Sequence, residues 1–152
     1  MKIEFQVGDS SGSWALINGI GRIQMIKYIL SWFLLLIFAL LNATVRELTY
    51  KSIFGEFLSH QISVLTGILF LAVPIWFIVK YLPFRNESQA IQVGIVWVIL
   101  TETFEFLMIT VSMKRSFQEF LHAHNFLVGE LWVIILVWVA IAPVLFYRLQ
   151  NR

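Results

Sequence analysis

The sequence predicts an all-α protein, a four-helix transmembrane bundle with antiparallel neighbours and both termini on the same side. Three observations carry that prediction. The chain is 59% hydrophobic and 13% charged, with a mean hydropathy of +0.82, which is too little polar surface to coat a soluble domain. Its apolar residues fall into four runs, 24–43, 62–82, 89–109 and 126–147, each near the roughly 20 residues that cross about 30 Å of hydrocarbon. The first run is apolar all round: between Ile29 and Leu41 only Ser31 interrupts Ile, Leu, Trp, Phe and Ala, so it lacks the polar stripe of a soluble bundle helix.

Residues 1–22 form a polar lead ahead of the membrane domain, 23–152. Gly8-Asp9-Ser10-Ser11-Gly12-Ser13 is too polar and flexible to pack on its own, which makes the lead a solvent tail. Trp14, Ala15, Leu16, Ile17 and Ile20 equally suit a short amphipathic turn on lipid headgroups. The first span lies too late and runs too long for a cleaved signal peptide, so it is expected to be retained. In the second span Pro74 removes a backbone donor and crowds the preceding turn, predicting a kink that frees a carbonyl near Phe70. The third span carries Glu102 and Glu105 within its apolar run, and Glu130 lies just inside the fourth. Trp76, Trp97, Trp132 and Trp138 suit bundle or interface positions.

Basic residues set the orientation. Lys2, Arg22, Lys27, Lys80, Arg85, Arg148 and Arg152 lie on one side, against Arg46, Lys51, Lys114 and Arg115 on the other, which places both termini in the cytoplasm of a bacterial inner membrane. The net charge of +2 comes from these flanks and contains no basic cluster that would engage nucleic acid. With no cysteine, disulfides, thiolate metal sites and thiol catalysis are excluded. The triplets Asn42-Ala43-Thr44 and Asn86-Glu87-Ser88 fall on opposite sides, so both cannot be glycosylated.

Antiparallel threading brings the polar residues together. The end of helix 1, the start of helix 2, the end of helix 3 and the start of helix 4 share one side, which gathers Asn42, Arg46, Glu47, His60, Ser63, Glu102, Glu105 and Glu130. Within each helix the steps of three and four residues align them: Leu35, Ala39, Asn42 and Arg46; His60, Ser63, Gly67 and Pro74; Gly94, Thr101, Glu102 and Glu105. Small residues in those stripes mark helix contacts. A carboxylate one turn inside the membrane, as at Glu105, must be protonated, paired or hydrated, and Arg46 is the expected partner. That pair serves equally as a static interhelical bridge or as a working site.

Glu102, Glu105, Glu130 and His60 also have the residue types of a divalent metal site. The second Glu-x-x-His pairing of carboxylate-bridged sites is missing, however, and His122-Ala123-His124 is a loop pair without an assigned role. No metal, cofactor or catalytic residue is therefore assigned. Enzyme motifs are absent: there is no nucleophile elbow, phosphate loop or zinc-protease helix, and Ser63 near His60 lacks an orienting acid in its own segment.

The run Trp97-Val98-Ile99-Leu100-Thr101-Glu102-Thr103-Phe104-Glu105-Phe106, together with Arg46-Glu47, Ser59-His60-Gln61-Ile62-Ser63 and Gly129-Glu130-Leu131-Trp132, resembles a family of small bacterial four-helix integral membrane proteins. The likeness covers about 42–143. It implies that Arg46, Glu47, His60, Thr101 and Glu105 rank above other polar positions, and it implies no activity. Glu102 falls on a variable position of that pattern and Glu130 stands where a basic residue is usual, which leaves Arg46, His60 and Glu105 as the centre of the expected site. Two functions fit. One is transport of a proton or small ion through a polar Glu/Arg/His site in one leaflet, conducted by a homo-oligomer. The other is a non-catalytic membrane partner or assembly factor of a larger complex, in which the cluster is a structural salt-bridge site. The lipid bilayer is a partner in both.

Overall fold

The apolar runs become helices in the computed structural model, which describes the backbone of residues 10–124 and 131–152 and the side chains of 21–121, 124 and 131–152. Helix α1 (Ser10–Val45) passes through a π turn (Arg46–Tyr50) into α2 (Lys51–Tyr81). Helix α3 (Glu87–Leu107) ends in a second π turn (Met108–Ser112), a short α4 (Phe117–Ala123) follows, and α5 (Trp132–Gln150) closes the chain. The described residues contain no strand. Three helical stretches, Gly21–Tyr81, Glu87–Ser112 and Trp132–Gln150, are long and apolar enough to cross a membrane.

Gly55 divides the first of those stretches, with φ 76° and ψ 175° inside otherwise helical backbone. Only glycine occupies that region without steric penalty, so the break is written in one residue. Pro74, where a kink was expected, sits buried in α2 with helical backbone around it; the non-helical geometry is at Gly55 instead. Beyond Gly55, contacts pair Arg46 with His60, Asn42 with Ser63 and Tyr28 with Leu82, in opposite order along the two segments. On α3 the order is the same as on α1: Tyr28 meets Trp97, and Trp32 meets Thr101. Helix α1 packs on α2 and α3, and α5 packs on the same two.

Close approaches set these contacts. A Cβ at Gly94 would fall on the carbonyl oxygen of Ala140, so α3 and α5 touch backbone to backbone. A Cβ at Gly67 would lie 3.1 Å from Asn42 Nδ2 and 3.2 Å from Ile135 Cδ1. Around them Ile75, Val79, Ala90, Val93, Trp97, Val139 and Ala142 are buried, while Leu30, Phe33, Ile37, Leu65, Leu69, Ile95, Ile99, Val137 and Ile141 remain exposed. The outer surface of the helices is thus apolar.

Helix α1 is described from Ser10, so residues 10–22 of the lead are helical. Serine and glycine each cost a helix roughly 1 kcal/mol or less, and extension of an existing long helix avoids the nucleation cost. The side chains of Trp14, Ala15, Leu16, Ile17 and Ile20 lie outside the described set, as do Gly8, Asp9, the side chain of His122, and Glu130. Helix α5 is described from Trp132, against an expected start at Phe126. Helix α4 was not expected. A capping box starts it: Glu119 N–H donates to Ser116 Oγ at 3.3 Å, and Ser116 N–H donates to Glu119 Oε2 at 2.9 Å.

Candidate functional site

A cavity of about 420 Å³ opens between α1, α2, α3 and α5 and is lined by Asn42, Arg46, His60, Ser63, Thr101, Glu105 and Arg115 among apolar side chains that include Trp32, Leu35, Phe104 and Ile135. Six of the polar residues singled out in the sequence, Asn42, Arg46, His60, Ser63, Thr101 and Glu105, share this wall. Glu47 and Glu102 stand outside the lining, and Glu130 lies outside the described residues.

Helical pitch brings the lining together. Asn42 and Arg46 are one turn apart at the end of α1, and Arg46 opens the π turn that carries its side chain toward α2. Asn42 is a lock between helices: its Nδ2 donates to Ser63 O at 2.8 Å and Ser63 Oγ at 3.0 Å, and its Oδ1 accepts from Thr66 Oγ1 at 2.7 Å. Thr101 is similarly committed, accepting from the Trp32 indole at 3.0 Å and donating to Trp97 O at 2.8 Å. Both residues hold the wall of the cavity rather than offer free polar groups to its contents.

Arg46 and Glu105, the expected ion pair, do not join. Arg46 pairs with Glu47 at 2.9 Å, and its other terminal nitrogen lies 3.4 Å from His60 Nδ1. Adjacent residues near a chain reversal reach each other without crossing the cavity, and Glu47 also gathers Lys51 at 2.8 Å. The guanidinium is thereby neutralised on the α1–α2 side. Glu105 faces the other way, toward α4 and α5. Its Oε2 is buried and makes no hydrogen bond of normal geometry, and the Trp132 indole N–H is the side-chain donor beside it.

The acids of α3 meet His124 instead. Phe117 and Phe120 pack against Phe106 with ring centroids 6.3 and 5.5 Å apart, which folds α4 back over the end of α3. His124 rests on Phe120 at 4.7 Å and reaches Glu102 Oε2 at 3.0 Å and Glu105 Oε2 at 4.0 Å. Burial by itself would lower the His124 pKa; hydrogen bonds to Phe120 O and Glu102 and the charges of Glu102 and Glu105 outweigh it and raise the value.

His124 is the residue that sequence reasoning missed. Its signal was topological: an imidazole in the segment that follows α3, the helix carrying Glu102 and Glu105. Spacing within the loop alone conceals it, because α4 is needed to turn the ring back. No family model, curated protein or solved structure matches the chain.

Proposed function

We propose that this chain is a multi-pass integral membrane protein of a bacterial inner membrane, a bundle of antiparallel neighbours, and that its cavity is a site for a proton or small cation exchanged with the outer side. The observation that carries the reading is Glu105: a buried carboxylate oxygen with no hydrogen bond of normal geometry, lining a cavity whose Arg46 is paired with Glu47. In low dielectric such an oxygen calls for a positive charge. Long apolar helices with exposed apolar faces support the membrane placement, and the distribution of basic residues supports cytoplasmic termini. The run 97–106 supports membership of the family of small bacterial four-helix proteins that it resembles.

Four helices enclose a narrow interior, so conduction through a homo-oligomer belongs to this proposal. One observation favours the second reading, a membrane partner or assembly factor: Asn42 and Thr101 are used up in interhelical bonds, as in a static structural cluster. Cation flux in proteoliposomes separates the two. Wild-type protein is expected to carry flux that Glu105→Gln abolishes at matched incorporation, and absence of flux in both folded proteins would favour the partner.

A further inference from the structure

We infer that Glu102, Glu105 and His124 form a site for a divalent transition-metal ion, with Zn²⁺ the ion that the donor set fits; this names the ion class of the cation site proposed above and rests on that reading. One ligand atom from each residue lies within 4.8 Å of the others. His124 Nε2 stands 3.0 Å from Glu102 Oε2 and 4.0 Å from Glu105 Oε2. Zinc bonds of about 2.0–2.1 Å in a tetrahedron place ligand atoms roughly 3.3 Å apart, between those two separations. All three separations are at most 4.8 Å, within about 1.5 Å of that spacing.

The histidine is oriented for the purpose. Its Nδ1 lies 2.9 Å from the Phe120 carbonyl oxygen, and a carbonyl only accepts, so the Nδ1 proton is donated there. In the neutral ring this turns the Nε2 lone pair toward two carboxylates. Either a proton or a metal ion between Nε2 and the two carboxylates satisfies all three groups, and a backbone carbonyl holding the far ring nitrogen is the usual outer support of a metal-bound histidine. Glu105 Oε2 adds to this, since it is buried and makes no hydrogen bond of normal geometry. Imidazole with two carboxylates and no thiolate suits Zn²⁺ or Mn²⁺ better than Cu(I), and Mg²⁺ seldom takes an imidazole ligand. Three protein ligands leave a further position for water or an exchanging group.

The test is calorimetric titration of the chelator-treated full chain in detergent micelles with ZnCl2, and with MgCl2 in parallel. One Zn²⁺ per chain is expected, with no Mg²⁺ binding at the same concentrations. Glu102→Gln and His124→Ala should each weaken Zn²⁺ binding by about tenfold or more. Glu56→Gln, an exposed acid paired with Lys51, should bind as wild type does. His124→Cys supplies a thiolate in place of the imidazole and should retain Zn²⁺, which separates loss of a ligand from loss of fold. No Zn²⁺ binding by wild type, or binding that survives both Glu102→Gln and His124→Ala, would overturn the inference. Binding is read in micelles and flux in vesicles. Failure of the metal site therefore leaves a positive flux result standing, and failure of flux leaves a positive titration standing.

Discussion

Single residues divide the polar cluster into groups that hold the fold and groups that remain available. Asn42 makes three interhelical hydrogen bonds, and Asn42→Leu should lower stability by about 1–2 kcal/mol, because Ser63 loses its donor and Thr66 one of its acceptors. Reversible unfolding in mixed micelles checks this; an unchanged melting temperature would contradict the role as a lock. Arg46 and Glu47 form a partly exposed pair, so Glu47→Gln should change stability by less than about 1 kcal/mol, measured the same way. That Arg46, His60, Asn42, Thr101 and Glu105 line one wall was legible in the sequence, since apolar runs set the helices and step-of-four spacing sets the face. Partner choice was not. Arg46 prefers its neighbour Glu47, and Glu105 looks toward His124, because rotamers at the ends of two π turns decide reach, and neither turn has a sequence signature.

At the scale of elements, the helices follow from apolar length, while the joints depend on single glycines and one aromatic cluster. Gly55→Ala should destabilise by about 1–3 kcal/mol through backbone strain alone, since no neighbour stands within 4 Å of the added Cβ. Gly94→Ala should also cost about 1–3 kcal/mol, because α3 and α5 must separate to admit the methyl group. A melting temperature unchanged by Gly94→Ala would contradict the backbone contact. Helix α4 owes its place to Phe106, Phe117 and Phe120, and its start to Ser116 and Glu119. Its capping box was present in the sequence, but its docking was hidden, because aromatic packing across a turn leaves no periodic trace. The helix over residues 10–22 was hidden for a related reason: composition reports solvent preference, whereas continuation of a neighbouring helix depends on cooperativity.

At the scale of the whole molecule, the end of α3 with Glu105, the start of α5 with Trp132 and the α1–α2 joint line one cavity, with large apolar side chains exposed outside it. Both termini are expected in the cytoplasm, and a reporter fused after Arg152 that is active only outside it would contradict this. The central claim is that Glu105 holds a cation rather than a structural bridge. The most direct test measures ion flux in proteoliposomes and thermal stability on the same preparations of wild type and Glu105→Gln. A cation site predicts flux in wild type, none in the variant, and a melting temperature that is equal or higher in Glu105→Gln, since a buried carboxylate oxygen with no hydrogen bond of normal geometry has been removed. Flux equal in both proteins, or a variant that is less stable with no flux in either, would contradict it.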